Sequence, residues 1–160
     1  MLFRPRPGFV FSHPAHAVAF GFGAGLVPFA PGTAGTALGW AIGWALGGLQ
    51  PGLVLLTVLV SFVVGIWACD VTGRHLGVAD HSAMVWDEVV AFLLVLAIVP
   101  RSLAWQAVAF AAFRFFDIAK PAPIRYFERR YGGGFGVMFD DLVAAAYTLL
   151  VLAAAKRLFF

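Results

Sequence analysis

The sequence predicts an all-α fold: a polytopic membrane helical bundle of about five spanning helices, preceded by an N-terminal interfacial or re-entrant helix. Three observations carry this expectation. The 160-residue chain is 62% hydrophobic and only 12% charged, with a mean hydropathy of +0.91, whereas an average soluble domain is about 25% charged. Five apolar segments follow one another after the first thirty residues. The cations between them fall mainly on one side. The length favours a single domain, residues 1–160.

The N-terminus, Met1-Leu2-Phe3-Arg4-Pro5-Arg6-Pro7, is basic but lacks a compact apolar core followed by a small-residue cleavage site. It reads as a mature cytoplasmic start, not a cleaved signal peptide. His13–Ala30 is apolar, aromatic and glycine-rich, carries His13 and His16, and is interrupted by Pro28 and Pro31. Such a stretch either lies in the membrane interface or enters and returns. The five apolar segments are Thr36–Leu49, Leu53–Cys69, Val85–Val99, Leu103–Phe116 and Leu142–Ala155. Most are shorter than the ~20 residues of an unassisted span. A compact soluble bundle would show similar runs, but flanking residues and local bilayer thinning can make up the difference.

Let the first segment run outward from the cytoplasm. Arg4, Arg6, Arg74, Arg114, Lys120, Arg125, Arg129 and Arg130 then lie inside, and only Arg101, Lys156 and Arg157 outside. Eight against three fits the positive-inside rule. The arginines form no stripe with interleaved aromatics, so nucleic acid is not an expected partner. A basic rim beside a membrane suits anionic lipid headgroups. Cys69 is the single cysteine. It excludes an internal disulfide and a zinc–cysteine site, and reads as a small buried apolar residue.

No charged residue occurs between Pro7 and Cys69, and six of the eight acids are Asp80, Asp87, Glu88, Asp117, Asp140 and Asp141. The topology that satisfies the cations also puts these acids on the cytoplasmic side. An oily chain avoids acids unless they act, and an all-oxygen cluster holds a hard divalent cation such as Mg²⁺. Asp87-Glu88 begins an apolar helix, where capping alone would favour acids. Adjacent helical positions diverge by about 100°, so the two side chains serve different ligands. Spacing of three puts Arg114, Asp117 and Lys120 on one stripe, which Pro121 ends. A cation–anion–cation line binds a phosphate and a metal together, though a local salt-bridge ladder would look the same.

Gly132–Gly136 allows unusual backbone angles or serves as a connector. Asp140-Asp141 follows it, entering the last apolar helix. Pro31-Gly32-Thr33-Ala34-Gly35-Thr36 opens the first clear segment. Its N–H groups and hydroxyls suit an anion, and its small residues equally suit close helix packing.

Taken together, Pro31–Thr36, Val85-Trp86-Asp87-Glu88-Val89-Val90, Arg114–Ile124 and Asp140–Ala144 resemble the phosphatidylglycerophosphatase A family in order and spacing. Gly77-Val78-Ala79-Asp80-His81 is similar too. The resemblance covers nearly the whole chain. It implies a Mg²⁺-dependent lipid phosphatase of the bacterial inner membrane, multi-pass with its site facing the cytoplasm. Such an enzyme converts phosphatidylglycerophosphate to phosphatidylglycerol and inorganic phosphate. Thr36 stands where the family often has Ser, and Ala91 and Ala145 where Gly is common; none of these removes an acid or a base.

The chemistry then expected places metal on Asp80, Asp87, Glu88, Asp140 and Asp141. Catalysis falls to Asp87, Glu88, Asp117, Asp140 and Asp141, and phosphate binding to Thr33, Thr36, Arg114 and Lys120. Arg125, Arg129 and Arg130 would attract the anionic substrate. No obligatory protein partner is evident. A CDP-lipid phosphatidyltransferase would need a DG…AR…G…D…D arrangement that is missing. A histidine-nucleophile phosphatase would need motifs the four histidines do not form. A small cation or proton transporter is the non-enzyme alternative; it wants acids near mid-membrane, whereas these lie at segment ends.

Overall fold

The computed structural model describes residues 5–122 and 124–159. For 127–129 and 159 it describes the backbone alone. Arg4 of the cation count, Pro123 of the Arg114–Ile124 motif and the Arg129 side chain therefore lie outside the described residues.

The described residues are helical without strands, as the hydropathy pattern predicts. Three short pieces come first: α1 (Pro7–Val10), α2 (Pro14–Ala19) and a 3₁₀ turn over Gly21–Leu26. The single N-terminal interfacial or re-entrant helix is thus broken. Pro14 starts α2, and left-handed backbone at Gly21, Phe22 and Gly23 stops regular helix beyond it. Five longer helices follow: α3 (Pro31–Ala45), α4 (Pro51–Leu76), α5 (Trp86–Ile98), α6 (Leu103–Ala119) and α8 (Gly133–Phe159). The short α7 (Ile124–Arg130) joins the last two.

The boundaries have local causes. Prolines sit in the first turns of α3 and α4, where a missing N–H costs nothing. Gly77, at φ 70°, closes α4 and lets Val78 N–H donate to Gly73 O at 3.1 Å. Lys120 adopts the left-handed region at the end of α6, φ 41°, and Pro121 prevents continuation.

Two helices, α4 and α8, are long and apolar enough to cross a membrane, against the five expected. The reason is length. The 13 residues of α5 rise only ~20 Å, and this helix is wrapped by protein, with Val89, Val90, Ala91 and Phe92 fully buried. By contrast, α4 turns Leu55, Leu59 and Val63 outward, each about half exposed or more.

The core forms around α5. α3 lies against it through small residues: a Cβ at Gly35 would come within 2.7 Å of the Val85 Cβ, and one at Gly39 within 2.8 Å of the Val89 carbonyl oxygen. Such contact is available only to glycine, the packing device expected of membrane helices. Trp86 Nε1–H donates to Ser61 O at 3.0 Å and ties α5 to α4. Trp40 and Trp44 donate to Gln106 Oε1 at 2.8 and 3.2 Å and tie α3 to α6. α3, α5 and α6 thereby hold fixed azimuths, and the residues at their ends converge.

Candidate active site

The N-terminus of α3, the Gly77–Val85 connection, the N-terminus of α5, the C-terminus of α6 and the second turn of α8 enclose a cavity of about 240 Å³ at one end of the bundle. Asp80, Asp87, Glu88, Arg114, Asp117, Lys120, Asp140 and Asp141 all line it. Residues separated by up to 61 positions in sequence thus share one wall. Thr33 and Thr36 do not line it.

Asp87, Glu88 and Asp141 form the tightest group. Each offers an oxygen, and the three oxygens lie within 4.8 Å of one another. Asp87 and Asp141 are nearly inaccessible, at 8% and 3% exposure. Asp87 Oδ1, Glu88 Oε2 and Asp141 Oδ2 are buried without a hydrogen-bond partner. Three mutually repelling carboxylates with orphaned oxygens are costly unless a cation joins them. The donors are oxygens only, the set preferred by a hard divalent ion. The residues present therefore fit a bound Mg²⁺, and Asp80 and Asp140 stand on the same wall.

The cations occupy the other side. Arg114 Nη1 lies 2.5 Å from Asp117 Oδ2 and 3.5 Å from Glu88 Oε1. The first contact joins positions three apart on α6 and the second joins α6 to α5. Arg114 Nε is buried and unpaired, so the guanidinium retains donor capacity. Lys120 Nζ lies 3.7 Å from Asp140 Oδ2. Arg114 and Asp117 share one face of α6, and Lys120, just past the helix end, lines the same cavity as the acids.

Thr36 is fully buried. Its hydroxyl donates to Gly32 O at 2.9 Å and lies 3.5 Å from Arg114 Nη1. It therefore braces the arginine from behind the cavity wall. Thr33 is half-buried in the first turn of α3. The Pro31–Thr36 segment is helix from its first residue. Its start, Ala30-Pro31-Gly32, lines the cavity with no side-chain cap on the helix. The Thr33 and Ala34 N–H groups donate to Ala30 O at 2.9 and 3.3 Å, which leaves the Gly32 N–H as the first-turn donor for a ligand.

The last acid pair corrects the sequence reading. Asp140-Asp141 does not begin a helix: α8 starts at Gly133, two turns earlier. The glycine run is not a connector but the opening of α8, where a Cβ on Gly134 would strike Ile66 O and the Asp70 backbone of α4. The acids thus sit inside a helix, without the favourable dipole of its first turn.

Two contributors were missed by sequence reasoning. Ser82 lines the cavity; its position two residues after Asp80 was the available signal. Gly32 approaches so closely that a Cβ there would overlap Glu88 Oε1 and stand 2.8 Å from Arg114 Nη2. The small residues of Pro31–Thr36 signalled close packing, but not that charged groups press on Gly32, because the crowding comes from α5 and α6.

A helical bundle with two helices long and apolar enough to cross a membrane, and a buried cavity of acids and cations at one end, defines a class: a membrane-associated helical protein with a polar site. The family model "Phosphatidylglycerophosphatase A" matches residues 17–156, and the chain belongs to that family. It is 46% identical over 150 residues to "Phosphatidylglycerophosphatase A" of Haemophilus influenzae, covering 90% of each chain. It is 37% identical over 142 residues to the protein of the same name from Escherichia coli, covering 88% of this chain and 83% of that one. A Bacteroides thetaiotaomicron protein named "Putative phosphatidylinositol-3-phosphatase" is 41% identical over 147 residues, covering 87% and 91%. No solved structure matches the chain. Membership favours the phosphatase expectation over the transporter alternative.

Proposed function

We propose that the chain is one membrane-embedded phosphatase domain, residues 1–160, that hydrolyses phosphatidylglycerophosphate to phosphatidylglycerol and inorganic phosphate. It works at the cytoplasmic face of a bacterial inner membrane. The observation that carries this reading is the single cavity in which the orphaned Asp87–Glu88–Asp141 oxygens face Arg114 and Lys120. A phosphate monoester needs both halves: ligands for a divalent ion and fixed positive charge for its own oxygens.

Five helices, α3 to α6 and α8, traverse the bilayer together in this reading. The short α5 need not reach both headgroup layers, because other helices sheath it and its first turn opens into the polar cavity. Acyl chains stay in lipid beside α4 while the headgroup enters between α3 and α6. Arg125 and Arg130 are exposed on the α7 side and draw anionic lipid toward the mouth.

Asp87, Glu88 and Asp141 would hold Mg²⁺, with Asp80 and Asp140 completing the wall. When bound, the ion supplies charge neutralisation at a phosphate oxygen and a more acidic water. Lys120 and Arg114 meet the remaining phosphate charge. Asp117 fixes the Arg114 guanidinium, Thr36 supports it from behind, and Thr33 stands at the uncapped start of α3. Water oxygen attacks phosphorus while the lipid glycerol oxygen departs and takes a proton. A wall carboxylate accepts the proton of the attacking water; Asp80, exposed at the rim, has the water contact that the buried trio lacks.

The test is phosphate release by the purified protein. Turnover of phosphatidylglycerophosphate is expected with Mg²⁺, lost on chelation and restored by adding Mg²⁺ back. Release from phosphatidylinositol 3-phosphate alone would move the substrate to that headgroup, and release from neither would overturn the phosphatase reading.

A further inference from the structure

At the opposite end of the bundle, the C-termini of α3 and α5 and the N-termini of α4 and α6 surround a second cavity of about 220 Å³. Its wall is mostly apolar, with Val54, Leu93 and Ala97 among its residues. Two polar side chains interrupt it. Gln106 is only 8% exposed, and its carbonyl oxygen accepts from the indoles of both Trp40 and Trp44. Indole N–H groups only donate, so the amide orientation is fixed. The Gln106 N–H₂ is then left over, and it bonds to no described residue. Arg101, exposed at the mouth, is the second polar group.

That donor is not among the fully buried unpaired atoms, so it stays accessible from the cavity. An occupant supplying acceptors and hydrocarbon would meet both the donor and the apolar wall. The sequence has no acid from Pro31 to Cys69 or from Val89 to Phe116, so no carboxylate on these elements competes for Arg101. Two helix N-termini and two C-termini meet here, so their dipoles offset, and Arg101 is the charged residue of the cavity lining.

We infer that this cavity binds one anionic phospholipid from the leaflet opposite the acid site. The Gln106 N–H₂ donates to an ester or phosphate oxygen, Arg101 pairs with the phosphate, and the apolar wall takes the beginning of an acyl chain. The inference rests on the membrane-spanning arrangement proposed above.

The experiment is native mass spectrometry of delipidated protein in detergent, titrated with phosphatidylglycerol or with phosphatidylcholine. Lys120→Ala protein is used as the background so that headgroup binding at the acid site is weakened. One retained phosphatidylglycerol is expected, preferred over phosphatidylcholine by roughly fivefold, the worth of one surface cation near anionic lipid. Arg101→Gln should abolish the preference, and Ala97→Phe, which fills the cavity, should abolish retention. Equal retention of the two lipids, or unchanged preference in Arg101→Gln, overturns the inference. Because Arg101 is exposed, its variant decides the matter whether or not Ala97→Phe folds. Phosphate release, measured in the same substitutions on a Lys120 background, separates the two readings. Release without a retained lipid rejects the far cavity alone, and a retained lipid without release rejects the phosphatase alone.

Discussion

The two ends of the bundle use the same helices and differ in what those helices leave uncompensated. At the acid end, the orphaned groups are carboxylate oxygens and one arginine Nε, and glycine backbone is pressed against them. At the far end, the wall is apolar and the polar groups are donors. Glycine shows the contrast best. Gly32 has Glu88 and Arg114 where its Cβ would be, whereas Gly47 and Gly48 have nothing within 4 Å. Close approach also occurs at the far end, where a Cβ at Gly43 would stand 2.6 Å from Leu96 Cδ1. What sets Gly32 apart is that its neighbours are charged groups, which without water must be held at fixed distance.

The largest expected effect breaks the acid end directly. Glu88→Gln keeps the size of the side chain but removes its charge from both the carboxylate trio and the Arg114 contact. Phosphate release should fall on the order of 10²–10³-fold, the usual cost of one preorganised electrostatic contact. Thermal stability should hold or rise, since a repelling buried charge is gone. Turnover within a few-fold of wild type would remove Glu88 from the site.

The glycine contrast gives the next effect. Gly32→Ala forces the α5 carboxylate and the α6 guanidinium apart. It should cost about 1–3 kcal/mol of stability, as overpacking does, and lower phosphate release roughly tenfold or more, since small misplacements are expensive in catalysis. Gly48→Ala, in open space, should change stability by less than about 0.5 kcal/mol and leave release untouched. Comparable losses in both variants, by thermal unfolding and by assay, would erase the difference between the ends.

The asymmetry was partly legible in the sequence. Acids are so rare in this chain that their bundles announced a shared location, and the Arg114–Asp117–Lys120 spacing of three was readable because helical neighbours recur at that interval. The central portions of α3 to α6 followed from their apolar runs. The start of α8 was hidden, because Gly132–Gly136 looks like a connector until α4 is there to pack against it. For the same reason Asp140-Asp141 looked like helix-opening acids. The Glu88–Arg114 link and the role of Gly32 were beyond reach: they join positions on different helices, and no local pattern encodes the distance between helix axes. Hydropathy alone does not set the span number, since a 13-residue helix sheathed by protein is as apolar as one facing lipid.

The smallest effect concerns how the N-terminal pieces dock at the acid end of α4. His16 is 3% exposed. Its Nδ1 lies 3.0 Å from Phe9 O and its Nε2 lies 2.8 Å from His75 Nδ1. The arrangement that satisfies both contacts has a neutral His16, donating from Nδ1 to the carbonyl and accepting at Nε2 from the His75 N–H. Burial is the main reason its pKa is lowered from 6.5; the Phe9 carbonyl bond opposes this, and nearby His75 and His13 reinforce it. The unfolded chain therefore binds a proton near pH 6.5, before the folded chain does. Stability from this group is complete above that pH and is lost as pH falls from 6.5 through the lowered folded value, with no further loss below it. His13 and His75, the other titratable groups facing it, act in the same direction by adding like charge. Thermal unfolding between pH 8 and pH 5 should show a downward step in wild type and a shallower one in His16→Gln. Parallel curves would place the acid sensitivity elsewhere, and the docking of α2 on α4 would then count as neutral packing.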